Sequence, residues 1–141
     1  MKKIAIVLYS GTGNTELMAE AVLAGATSAL ADARIIHAQA FSPEMIEAYD
    51  ALAFGCPAMG VEELEQDEFE PMFASLEDKL KDRSVALFGS YGWSDGEWMI
   101  NWQDRVLSRG ANLVDAPVIA NDEPDAKALE ACKALGRALA Q

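Results

Sequence analysis

Tyr9 to Glu16 reads YSGTGNTE, a run of hydroxyls and glycines without a lysine or arginine, placed directly behind the apolar stretch IAIVLY. Ser10, Gly11, Thr12, Gly13, Asn14 and Thr15 offer a ligand side-chain hydroxyls together with backbone N–H groups that the glycines allow to fold inward. A helix starting at the end of the loop adds its own unpaired amides and the positive end of its dipole. A phosphate dianion can be held in this way by oriented hydrogen bonds, which removes the need for a cationic side chain. The competing reading is a plain capping turn, with Asn14 or Thr15 merely starting the helix.

Two more segments have the composition of a binding loop. PAMGVEE, from Pro57 to Glu63, sets Met59 beside Gly60, and GSYGWSDGEW, from Gly89 to Trp98, sets Trp93 among glycines. Tryptophan presents a broad stacking face and methionine a polarizable one, so a flat aromatic ligand could lie between them. Trp98 and Trp102 are four apart on the helix that follows and read as core. Cys56 reads as a small buried residue at a strand end, because Glu62 and Glu63 follow it where a reactive thiolate would need a cation. His37 is given no role. Known nucleotide patterns fail: Glu16 stands where a dinucleotide fingerprint needs its third glycine, and no Gly-Lys-Ser/Thr follows. The aspartate cluster of phospho-accepting receiver domains is replaced by Tyr9-Ser10 and Gly55-Cys56.

These loops need strands and helices to position them. Apolar runs at 4–9, 33–38, 50–56, 84–90 and 112–120 read as buried strands, and the segments 15–30, 42–49, 67–80, 97–110 and 124–140 carry apolar residues at helical spacing. Ser42-Pro43 and Pro124-Asp125 mark helix starts, and Gly110 marks a stop. Alternation of strands and helices predicts a parallel sheet covered on both faces. In such an open sheet ligands bind beyond the carboxyl ends of the strands. The three loops all fall there.

Composition narrows the class. The 141 residues are expected to form one domain, 1–141, with a single core. A formal net charge of −12 argues against nucleic acid and against an anionic membrane surface. No apolar stretch is long enough to span a bilayer, and the two cysteines, Cys56 and Cys132, have neither zinc-ligand spacing nor a disulfide pattern. A cytoplasmic protein is expected.

With these residues in place, the chain resembles a flavodoxin of the short-chain type over essentially its whole length. The family's Ser/Thr-x-Thr-Gly-x-Thr pattern is met by Ser10, Thr12, Gly13 and Thr15. Its Met-Gly-Asp-Glu segment is resembled by Met59-Gly60-Val61-Glu62, and its Gly-Ser-Tyr-Gly-Trp segment by Gly89 to Trp93. The resemblance implies a flavodoxin-like three-layer α/β sandwich with a five-stranded sheet in order 2-1-3-4-5 and non-covalently bound FMN. It implies that Ser10 to Thr15 hold the phosphate and that Pro57, Ala58, Met59, Gly60, Val61 and Glu62, with Ser90, Tyr91, Gly92, Trp93 and Gly96, hold the ring. Met59 and Trp93 would cover its faces, and Glu62 would bond its N3 edge.

By the same resemblance the protein is an electron-transfer protein and not an enzyme: a low-potential one-electron carrier whose flavin passes between quinone, semiquinone and hydroquinone. The peptide after Gly60 would turn over on one-electron reduction. Val61 departs from the family's aspartate, and a β-branched residue there is expected to disfavour the turned form. An FMN-dependent quinone or flavin reductase of the same fold is the alternative, and a flavin-free protein-binding module is a second. Expected partners are basic patches of reductases and of iron–sulfur or haem redox enzymes, met transiently by a monomer.

Overall fold

The computed structural model describes residues 1–60, 62–93 and 95–141, leaving Val61 and Ser94 outside the described residues. The run IAIVLY supplies most of β1 (Lys3–Leu8), in which every residue after Lys3 is buried. Burial on both faces demands cover on both sides, and the alternation of a strand's side chains divides that cover. Ala5 and Val7 join a core under α2 (Phe69–Leu76) and α3 (Glu97–Ser108). Ile4, Ile6 and Leu8 join a second core under α1 (Asn14–Ser28) and α4 (Ala126–Leu139).

β1 lies between β2 (Asp32–His37) and β3 (Ala51–Gly55), and β3 pairs in turn with β4 (Ser84–Tyr91), every pairing being parallel. Beyond β4 the sheet ends in two short pieces, β5 (Asn112–Leu113) and β6 (Val118–Asn121), both parallel to β4. The order is therefore 2-1-3-4-5 with helices on both faces, as the resemblance implies. The last strand, expected to be continuous over 112–120, is interrupted between Leu113 and Val118, a break that contains Pro117, which has no N–H for a ladder.

The helices follow the expected segments with shorter ends. Asp125 caps α4 by accepting the Ala128 N–H at 2.8 Å, and Gly110 leaves α3 with φ of 83°. The stretch 42–49 is a 3-10 helix, Pro43–Ala48, instead of a full α-helix. The stretch 67–80 is α2 followed by a 3-10 turn, Glu77–Lys79. Trp98 and Trp102 are core residues, the Trp102 ring meeting Phe69 and Phe73 edge-on at 5.4 and 5.8 Å.

Two ties brace this frame. Arg105 on α3 grips both Glu70 oxygens at 2.8 and 2.7 Å and Glu77 at 2.6 Å while lying over the Phe73 ring at 5.0 Å. On the other face α1 and α4 touch backbone to backbone. A Cβ on Gly25 would stand 2.0 Å from the Lys133 carbonyl oxygen, and one on Gly136 would stand 2.1 Å from that of Val22. No helix among the described residues is long and apolar enough to cross a membrane.

Candidate functional site

The loops after β1, β3 and β4 leave the same edge of the sheet because the strands are parallel. At that edge Gly11, Thr12 and Asn14 meet Pro57, Ala58 and Met59, and Ser90, Tyr91 and Gly92, around a cleft of about 240 Å³. Asp122, from the turn after β6, completes the wall and is its one charged residue among those described. A larger cavity of about 470 Å³ lies between β6 and α4, away from these loops and their donors. The smaller cleft is the better candidate, because it alone joins the three segments.

In the first loop the Ser10 hydroxyl accepts the N–H groups of Gly13 and Glu16, each at 3.2 Å. Gly13 has φ of 97°, a conformation a side chain would strain, and no atom lies within 4 Å of where its Cβ would be. Capping thus accounts for part of the loop, but through Ser10 and not through Asn14 or Thr15. The N–H groups of Gly11, Thr12, Asn14 and Thr15 find no acceptor among the described residues. Four free donors at the positive end of a fifteen-residue helix form an anion cradle. Thr15 turns its hydroxyl inward instead, to the Ser90 hydroxyl at 3.1 Å, so the first and third loops are joined by a buried hydrogen bond.

The second loop is a narrow hairpin. Met59 N–H donates to the Glu63 carbonyl at 2.7 Å and Glu63 N–H returns the bond at 3.0 Å, leaving Gly60 and Glu62 in the turn between them. Gly60 and Glu62 both have left-handed φ, 52° and 55°. Met59 is 40% exposed on the rim of the cleft. Glu62 does not line the cleft but a neighbouring groove, together with Trp98 and Arg105. One Glu62 oxygen accepts the Trp98 N–H at the start of α3 at 3.1 Å, whereas the other, Oε1, is buried without a partner among the described residues. A buried carboxyl oxygen lacking a donor marks a place for one.

In the third loop Trp93 is fully exposed, with its indole standing free of the protein. Gly96 lies apart from the cleft as the left-handed residue that starts α3, with φ of 93°. Of the expected site residues, the structure gathers Gly11, Thr12, Asn14, Pro57, Ala58, Met59, Ser90, Tyr91 and Gly92 around the cleft. Ser10, Gly13 and Thr15 support it from behind, Gly60 and Glu62 belong to the hairpin, and Val61 lies outside the described residues.

Asp122 and Glu65, which sequence reasoning passed over, shape the site together with Cys56, buried at the end of β3 as expected. Asp122 has φ of 55° and donates its N–H to the Tyr91 carbonyl at 2.7 Å; its signal was its place after the last strand, at the same carboxyl edge. Glu65 is a buried carboxylate, and Cys56 a buried thiol that accepts the Glu65 N–H at 3.3 Å. Burial pushes the Cys56 thiol far above its ordinary range, which suits a structural cysteine and not a nucleophile. The Tyr9 phenol beneath Gly11 is also pushed up, by burial first and by the carboxylates of Glu65 and Glu68 next.

Known proteins give the arrangement its relatives. The family model for flavodoxin matches residues 6–136. Flavodoxin from Megasphaera elsdenii is 44% identical over 138 residues, covering 98% of each chain, and that from Clostridium beijerinckii is 41% identical over 135 residues, covering 96% of this chain and 97% of its own. Among solved structures, the two-electron reduced Megasphaera elsdenii flavodoxin superposes with a TM-score of 0.89 at 43% identity, covering 97% of this chain and 98% of its own. A flavodoxin from the domain Archaea follows the fold with a TM-score of 0.85 at 29% identity, covering 98% and 96%.

Proposed function

The chain belongs to the flavodoxin family, and on that premise we propose that it is an electron carrier whose working group is a non-covalently bound FMN. The observation that carries the reading is the cleft itself, where a cradle of unpaired amides opens beside a methionine rim and a free tryptophan. The residues fit the group. The free N–H groups of Gly11, Thr12, Asn14 and Thr15 suit a phosphate, the exposed Trp93 indole and Met59 suit the faces of a flat ring, and the orphaned Glu62 oxygen suits a ring N–H.

Bound FMN supplies the uptake and release of electrons; the chain's part is to bind it and set its potential. The cradle neutralises the phosphate with dipoles, and no cation stands among the described residues of the cleft wall. Asp122 in that wall and the net charge of −12 oppose further negative charge on the ring, which favours a low potential. The same acidic surface suits brief, salt-sensitive encounters between a monomer and the basic patches of reductases and of iron–sulfur or haem enzymes. A cytoplasmic location agrees with this role.

Titration of the flavin-free protein with FMN, followed by quenching of flavin fluorescence, tests the binding. The visible spectrum during stepwise dithionite addition then tests one-electron behaviour. A protein that takes up no FMN would end the proposal. Steady oxidation of NAD(P)H by the purified protein alone would favour the reductase instead.

A further inference from the structure

Among the described residues the hairpin carrying Met59, Gly60 and Glu62 is closed by its Met59–Glu63 pair, and a two-stranded turn of that size does not hold its shape unaided in water. Its two ends must be fastened by their surroundings. On the entry side the Ala58 N–H donates to the Ser90 carbonyl at 2.9 Å. On the exit side stands Glu65, which is 5% exposed. Its carboxylate accepts the N–H groups of Asp67, Glu68 and Phe69 at 2.8, 2.7 and 2.8 Å, the amides of the turn that leads into α2 and of its first residue. Its own N–H donates to the Cys56 sulfur at 3.3 Å, across the base of the hairpin. The Cys56 carbonyl in turn accepts the Trp98 indole N–H at 3.3 Å.

We propose that Glu65 is the positioning residue of the ring-binding hairpin. Anchored to α2 by its carboxylate and to the end of β3 through the Cys56 thiol, it holds the hairpin in the shape that receives the flavin ring. The inference rests on the FMN reading above but concerns a residue that does not line the cleft. The groups that face Glu65 among the described residues are Tyr9 after β1, Cys56 after β3, Asp67 and Glu68 in the turn before α2, and Glu70 in its first turn, with no cation among them. Its charge is therefore kept by amide dipoles. Burial works against ionisation, but the three amide bonds outweigh it and hold the carboxyl below its ordinary range. The fastening is complete above the ordinary carboxylate range and is lost as the pH falls through the lowered value, when an accepting oxygen becomes a hydroxyl donor facing an amide.

The test compares wild type with Glu65→Gln, Cys56→Ala and Cys56→Ser. In the flavin-free proteins, hydrogen exchange is read at the Met59 and Glu63 amides and at the amides of β1. In the loaded proteins, the dissociation rate of FMN is followed from neutral to acid pH, with riboflavin run in parallel to separate protonation of the phosphate. Loss of a charge-assisted bond is expected to speed exchange at Met59 and Glu63 by about tenfold or more in Glu65→Gln while β1 stays protected. FMN dissociation in that variant should be faster by a similar factor at neutral pH. It should also change little on acidification, whereas the wild-type rate climbs. Cys56→Ala should show a smaller acceleration, about threefold, that Cys56→Ser reverses. Unchanged exchange and dissociation in Glu65→Gln would overturn the proposal, as would protection lost equally across β1. If Glu65→Gln does not fold, unchanged rates in Cys56→Ala overturn it. A wild-type protein that takes up no FMN would refute the proposed function and leave the exchange comparison standing.

Discussion

Replacing Gly136 by alanine puts a methyl group where two helices already touch. The added Cβ would lie 2.1 Å from the Val22 carbonyl oxygen and 2.6 Å from the Ala26 nitrogen, both backbone atoms of α1 that cannot rotate aside. In a helix with room, the same change raises stability by about 1 kcal/mol, because glycine is the poorer helix former. Here a normal contact requires α1 and α4 to separate by more than an ångström, and overpacking of that kind costs about 3 kcal/mol, at the upper end of its usual range. The net expectation is a loss of about 2 kcal/mol, seen as a fall in Tm of roughly 4–8 °C for a chain of this size. Urea and thermal unfolding of the flavin-free proteins measure it. A Gly136→Ala protein as stable as wild type, or more so, would show that the two backbones are not in the contact described.

Trp93→Ala should leave the unfolding midpoint of the flavin-free protein within about 0.5 kcal/mol of wild type, since the indole touches little, while weakening FMN binding about tenfold. A large drop in Tm would mean that the ring is packed after all. Thr15→Val strands the Ser90 hydroxyl in a buried site and should cost about 1–3 kcal/mol in urea unfolding, with FMN bound less tightly; an unchanged midpoint would refute the bridge between the two loops. Acid should destabilise the protein earlier than ordinary carboxylates require. At Glu77 burial opposes ionisation, but bonds to Arg105 and Arg109 outweigh it and lower its pKa, as the three amides do at Glu65. Stability from both groups is present above about pH 4.3 and fades as the pH falls through their lowered values. Tm measured from pH 7 down to pH 3 should fall over the lower part of that range, and a flat profile would contradict the assignment.

The fold was readable because buried parallel strands are written as continuous apolar runs, such as IAIVLY and SVALFGS, and because Asp125 and Gly110 punctuate helices by chemistry that acts within one turn. The break in the last strand was missed because NLVDAPVIA is apolar enough to hide the effect of Pro117 on a ladder. At the site, Thr12, Met59 and Tyr91 were found through motifs that lie together in the chain. The bond between Cys56 and Glu65 was not, since it joins residues nine apart that only the folded loop brings near. Ser10 was expected to serve a ligand directly; its oxygen also accepts two amides of its own loop, which leaves the O–H to donate.

The walls of the cleft come from residues 11, 12 and 14, 57–59, 90–92 and 122, so they lie far apart along the chain and meet only when β1, β3, β4 and β6 stand side by side. A nascent or partly opened molecule owns the pieces but not the pocket. Cofactor capture is thereby a reward for finished folding: FMN adds its binding energy to the native state alone, and a molecule that has lost the edge beyond β4 surrenders it.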